Sequence, residues 1–174
     1  MRSNYCGELS KKHINKIVAV CGWVHRRRDH GGVIFLDIRD KTGIVQVVVN
    51  PENKNPFSLA EKIRSEFVLK ISGKVNERPE DAENKDLTTG VIEIIADEII
   101  VLNEAETPAF PLDQSAEVSE EVRLKNRTLD LRRPEMQKNL ETKSKISQIV
   151  RKELEKKDFI DIETPIILPN KSPY

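Results

Sequence analysis

Short β-branched runs separated by turn residues fill the chain from position 17 to 102, and their alternation predicts strands over 17–24, 33–39, 44–49, 67–75 and 91–101. In the second of these, Ile34, Leu36 and Ile38 share one face while Phe35, Asp37 and Arg39 share the other. The turn Asp40-Lys41-Thr42-Gly43 leads into a third strand with Val45, Val47 and Val49 on one face. A four-residue turn pairs position 39 with 44, Leu36 with Val47 and Asp37 with Gln46. One hairpin face is then wholly aliphatic, and the other carries Phe35, Asp37, Arg39, Gln46 and Val48. Between the third and fourth strands, PFSLAEKIR at 56–64 predicts a short helix with proline at its start, turning Phe57, Ala60, Ile63 and, at the margin, Leu59 inward. Five strands with a helix between the third and fourth give a mainly β chain in the element order of the oligonucleotide/oligosaccharide-binding (OB) barrel.

Residues 76–90 turn polar and acidic, which predicts a long loop between strands four and five. The stretch NEAETPAFPLDQSAEVSEE, with two prolines and little periodicity, reads as a linker or hinge. A long helix is predicted over 134–157, Pro134 in its first turn and Met136, Leu140, Ile146, Ile149, Val150 and Leu154 approximately on one face. FIDIETPIIL then reads as a strand entering a proline.

Composition narrows the function classes. The 174 residues are 37% hydrophobic and 33% charged, no run approaches the ~18 apolar residues of a bilayer span, and the first residues lack the apolar stretch of a secretory signal. A cytoplasmic protein with no membrane partner is expected. Cys6 and Cys21 have no ligand spacing and read as reduced packing residues, and His13, His25 and His30 have none either, so no metal site is expected. Net charge is zero, but it is sorted: residues 1–75 carry +7, residues 76–121 carry −12 and residues 122–174 carry +5. Each basic block suits an anion, and nucleic acid is the polyanion such a protein most often meets.

The polar face of the hairpin holds the parts of a single-strand reader. Phe35 offers a stacking platform, unless the register is shifted by one residue, in which case it is core. Gln46 can donate to and accept from a base edge, and Glu93 on the fifth strand can accept from a base amino group. Arg26, Arg27 and Arg28, leaving the first strand beside His30, Gly31 and Gly32, supply rim contacts to phosphates and bases, the glycines letting backbone approach closely. Trp23 reads as core or edge packing. No phosphate loop, dinucleotide fingerprint or nucleophile motif is present, so no catalytic residue is assigned.

The stretches YCGEL, VCGWVHRRRDHGGVIFLDIRDKTGIVQVV, RLKNRTLDLRRPEMQ and FIDIETPIIL resemble, in order and spacing, the N-terminal part of bacterial-type aspartyl-tRNA synthetases, members of class II. The resemblance implies an anticodon-binding barrel over 1–103, a hinge over 104–130 and, over 131–174, the opening of the α+β catalytic domain. By similarity, Arg28, Phe35, Gln46 and Glu93 match anticodon-contacting positions, with Arg26 and His30 beside them, and Pro165 belongs to the homodimer interface. Such enzymes use ATP and Mg²⁺ to activate aspartate and transfer it to tRNA-Asp. The ATP-binding motifs lie past residue 174, so the chain alone is expected to be a fragment that forms no adenylate and needs no cofactor. His30 accompanies family members that also charge tRNA-Asn, while Asp81 and Ala82 stand where those members often place glycine. The alternatives are an asparaginyl- or lysyl-type synthetase, a generic single-strand-binding OB module, and a dimerisation module.

Overall fold

The computed structural model describes residues 1–112 and 117–164. The chain divides into two compact units, Met1–Pro108 and Ala109–Tyr174.

The first unit is a five-stranded closed barrel in the order β1-β2-β3-β5-β4. Its strands are β1 (Ile17–His30), β2 (Val33–Arg39), β3 (Ile44–Val49), β4 (Val68–Glu77) and β5 (Ile92–Asn103), with α1 (Lys54–Ala60) between β3 and β4. This is the OB fold that the element order implies. The β2–β3 hairpin has the predicted register, with Arg39 paired to Ile44, Leu36 to Val47 and Asp37 to Gln46. Ile34, Leu36, Ile38, Val45, Val47 and Val49 are fully buried, joined in the core by Val20, Val24, Leu69, Ile71, Ile92 and Ile94. Burying such side chains contributes about 1.5–3 kcal/mol each, and this apolar cluster is what closes the barrel.

Several boundaries differ from the sequence reading. β1 does not stop at 24 but continues through the three arginines to His30, because β2 pairs along its whole length, Arg28 with Phe35 and His30 with Val33. Gly31 and Gly32 form the turn between β1 and β2. Both have positive φ, +61° and +81°, and a Cβ on either would meet nothing within 4 Å, so their role is to allow the tight turn. α1 begins two residues early and ends at Ala60. Ala60 and Ile63 are buried and Phe57 packs on the core, but Leu59 faces solvent because the helix ends before its side of the surface is covered.

β1 contains a bulge at His25, and β5 contains bulges at Asp97 and Leu102. Each sets two residues of one strand against one of its neighbour and increases local twist, which a sheet of only five strands needs in order to close. Before the Cys21–Val24 segment, the N-terminal stretch is fastened to the β2–β3 turn: the Cys6 amide donates to Asp40 Oδ2 at 2.7 Å and the Gly7 amide to Thr42 Oγ1 at 2.8 Å. Cys6 is buried there and Cys21 half-buried; both are free thiols, and burial with the Asp40 charge raises the Cys6 pKa strongly. Trp23 is partly exposed at the barrel edge, lining a shallow hollow with Tyr5 and Val68.

In the second unit, the stretch expected to be a linker contains α2 (Glu120–Lys125) and α3 (Arg127–Asp130), followed by α4 (Pro134–Glu155). Asp130 is fully buried and gathers these short helices by accepting from Arg123 Nε at 2.8 Å and from Arg127, with Arg133 at 3.6 Å. α4 ends two residues before the predicted 157, and its stripe of Leu140, Ile146, Ile149, Val150 and Leu154 is exposed. No strand forms over residues 159–164, the described part of the predicted FIDIETPIIL strand, and Pro165 lies outside the described residues. Among the described residues, no helix is long and apolar enough to cross a membrane.

At Gly73 an added Cβ would lie 2.1 Å from the Ile95 carbonyl oxygen across the β4–β5 pair. Gly73→Ala should therefore destabilise the barrel by about 1–3 kcal/mol or more, against ~1 kcal/mol for Gly31→Ala in its open turn. Urea denaturation compares the two, and equal costs would contradict the close packing at Gly73.

Candidate nucleic-acid interface

The outer face of the β1–β2–β3 sheet is built by strand parity, with one correction. Val18, Val20 and Val24 point inward, so uninterrupted alternation would send Arg26 and Arg28 into the core as well. The His25 bulge reverses the phase, and Arg28 stands opposite Phe35 on the outer face while Arg27 pairs with Leu36. Arg27 accordingly turns to the barrel's side and donates from Nε to the Ala60 carbonyl at 2.9 Å, capping the C-terminal end of α1. It belongs to the scaffold and not to the rim expected from the arginine run. Arg26 is exposed and pairs across the ladder with Asp37.

Four side chains on this face form one chain of hydrogen bonds. Arg28 Nη2 donates to Asp37 Oδ1 at 2.8 Å and to Gln46 Oε1 at 3.1 Å, and Gln46 Nε2 donates to Glu93 Oε2 at 3.0 Å. Glu93 reaches Gln46 because β5 runs parallel beside β3, Val47 pairing with Ile94, with Ile92 and Ile94 turned into the core. The face is less open than the alternation suggests: Gln46 is only 8% exposed, covered by Arg28 and Glu93. Phe35 is half-buried beside this chain, and the exposed His30 ring stands edge-on to it at a centroid distance of 6.3 Å. Phe35 is not core, so the register that places it outward is the one observed.

Arg78 is the residue that sequence reasoning missed. Placed just after β4, it is buried, donates from Nε to the Ile92 carbonyl at 3.0 Å and stands 3.9 Å from Glu93 Oε2. Its Nη2 is buried without a hydrogen-bond partner among the described residues. In the sequence it sits in a run of acidic residues that reads as solvated loop; the available signal was one of two cations among many acids. Burial lowers the Arg78 pKa, partly offset by the charges of Glu93 and Asp37. Burial also raises the Glu93 pKa, opposed by the Gln46 hydrogen bond and the Arg78 charge. The result is a water-poor face with a stacking surface, a fixed amide and a carboxylate acceptor, the chemistry needed to hold an unpaired base by its face and its edge.

Comparison with known proteins gives the same architecture. Residues 18–102 match the family described as the OB-fold nucleic acid binding domain of the tRNA anticodon type, and residues 119–174 match the class II tRNA synthetases (D, K and N). The asparaginyl-tRNA synthetase of Pyrococcus horikoshii, solved with asparaginyl-adenylate, is 29% identical with a TM-score of 0.78 over 94% of this chain. A provisionally named aspartyl-tRNA synthetase of Leishmania major Friedlin is 25% identical with a TM-score of 0.82 over 93% of this chain. The chain carries the anticodon OB domain and the first helices of the catalytic domain of a class II (D, K and N) aminoacyl-tRNA synthetase. It spans only 36% and 34% of the length of those two relatives.

Class II synthetases of this type work with ATP and Mg²⁺. Among the described residues, no group of three or more His, Cys, Asp or Glu is arranged to hold a metal ion.

The raised pKa of Glu93 has a definite sign. The folded protein holds this proton more tightly than the unfolded chain does, so the group's contribution to stability is largest at low pH and declines as pH rises through the folded midpoint. A carboxyl-detected NMR titration should find Glu93 titrating above its ordinary 4.5, and Glu93→Gln should flatten that part of the stability profile. A midpoint at or below 4.5 would contradict the burial described for it.

Proposed function

We propose that this chain is the anticodon-reading part of an aspartate–tRNA ligase and that the β1–β2–β3 face, with Glu93 of β5, binds the anticodon loop of tRNA-Asp. The observation that carries this reading is the continuous Asp37–Arg28–Gln46–Glu93 chain beside the half-exposed Phe35 ring. In it, Phe35 stacks on a base, Gln46, Arg28 and Glu93 meet base edges, and Arg26 and His30 stand at the rim. Aspartate in preference to asparagine is supported by HRRRDHGG and LDLRRPEM in the sequence. The asparaginyl-type relative at 29% identity keeps the asparaginyl reading as the second candidate. The whole enzyme acts in the cytoplasm as a homodimer to which Pro165 contributes, activates aspartate with ATP and Mg²⁺, and is divided at about residues 103 and 130 into barrel, hinge and catalytic domain.

Titrating the chain with stem-loops carrying Asp, Asn and Lys anticodons, beside an unstructured strand of equal length, tests the assignment. The Asp loop should bind best, and binding should weaken as salt rises because phosphate contacts release counterions. Phe35→Ala should cost about 1–3 kcal/mol of loop binding with an unchanged circular dichroism spectrum. Equal affinity for all four RNAs would make the barrel a general single-strand binder instead.

His30 bears on whether tRNA-Asn is charged as well. Beside the Phe35 platform, an imidazole can donate or accept and so tolerate either C or U at the third anticodon base, the one that separates the two tRNAs. The complete enzyme should aspartylate both, and His30→Leu should favour tRNA-Asp. Strict charging of tRNA-Asp by the wild type would end this part of the reading.

A further inference from the structure

Asp37 stands in the middle of the face but outside the set of residues assigned above to touch a base. It lies between Phe35 and Arg39 on β2, opposite Arg26 on one side and Gln46 on the other. Its side chain is 13% exposed, against 39% for the side chain of Arg28, which it holds. Arg28 could otherwise adopt many positions, since arginine has large rotamer freedom and this one is partly exposed.

The hydrogen-bond chain has only one consistent sense. A guanidinium can only donate and a carboxylate only accept, so between Arg28 and Glu93 the Gln46 amide must turn Oε1 to Arg28 and Nε2 to Glu93. The same Nη2 of Arg28 serves both Asp37 and Gln46. Fixing Arg28 on Asp37 therefore fixes which way the amide faces. Without that anchor Arg28 is released, and the Gln46 amide loses one of the two partners that exclude its flipped form, the Glu93 carboxylate alone remaining. A flipped amide offers a donor where the native one offers an acceptor. Uracil and cytosine differ by this exchange at position 4, as guanine and adenine do at position 6.

We propose that Asp37 is the positioning residue for base discrimination on this face: by holding Arg28 it secures, together with Glu93, the single orientation of the Gln46 amide and so tunes whether a keto or an amino base is accepted beside it. The proposal rests on the reading that this face binds an anticodon loop. It adds that specificity at one base position depends on a residue that does not touch the base.

Two readouts test it on the whole chain. The first needs no RNA: in the wild type the Gln46 side-chain NH₂ should give one sharp, slowly exchanging pair of NMR signals. Asp37→Asn and Asp37→Ala should broaden that pair or raise its exchange rate about tenfold, and Asp37→Glu should partly restore it. The second is binding to anticodon stem-loops in which each anticodon base in turn is exchanged between its keto and amino partner. Asp37→Asn should reduce discrimination at one position by about tenfold, with a smaller loss of affinity for the preferred loop. An unaltered Gln46 signal in a folded Asp37→Asn protein would overturn the proposal. So would a uniform loss of affinity with discrimination retained at every position. If the wild type prefers no loop yet its Gln46 signals depend on Asp37, the anticodon reading fails while the positioning of Gln46 by Asp37 stands.

Discussion

The bulge at His25 sets two residues of β1 against one of β2, and because side chains alternate along a strand it exchanges inside for outside from Arg26 onward. Everything on the outer face depends on that exchange. With regular alternation Arg28 would follow Val24 toward a core of valines, leucines and isoleucines, where an unpaired guanidinium costs several kcal/mol. The bulge instead sends Arg27 to the barrel side, where it finds the end of α1, and Arg28 to Asp37 and Gln46. A single inserted residue thus turns a run of three arginines into one structural cap, one network member and one exposed cation.

The face so formed is costly, and its cost is informative. Gln46, Glu93 and Arg78 are all largely removed from water, and both the raised Glu93 pKa and the lowered Arg78 pKa trace first to desolvation. Among the described residues, Arg28 Nε and Arg78 Nη2 remain buried without hydrogen-bond partners. A network that leaves donors open adds less stability than an apolar patch of the same area. A polar arrangement of this kind is what an edge-reading surface requires, since a site built to hydrogen-bond one base rejects another by leaving its buried groups unpaired.

The aliphatic half of the hairpin was legible because six positions of strict alternation, joined by a turn of definite length, permit one register only. Phe35, Gln46 and Glu93 followed from that register, Gln46 and Glu93 becoming neighbours once β5 closed beside β3. The extent of β1 was not legible: charged residues with a bulge among them carry no period-two signal, and the strand is defined by its partner β2. Arg78 was hidden for a related reason. Its burial comes from the closing of β4 against β5, a contact between residues distant in sequence, and its neighbours in the chain are acidic and exposed. The helices around Asp130 likewise arise from three arginines converging on one carboxylate, and such convergence leaves no hydrophobic period to detect.

Charge sorting bears on how a polyanion would approach. A chain with zero net charge exerts little long-range pull, and beyond a Debye length of about 8–10 Å its exposed charges are largely screened. Attraction must then be local. The β1–β2 hairpin carries the exposed Arg26 and His30, while the acidic residues of 76–121 occupy the β4–β5 connection, part of β5 and the segment after it. Within the barrel, Arg28 and Arg78 have their charges largely answered by Asp37 and Glu93. Little positive charge is left on the face itself to hold phosphates indiscriminately. Affinity for RNA would therefore depend more on stacking and edge contacts than on backbone charge, which favours a loop whose bases are already unstacked and presented over an arbitrary strand that has to be ordered on binding.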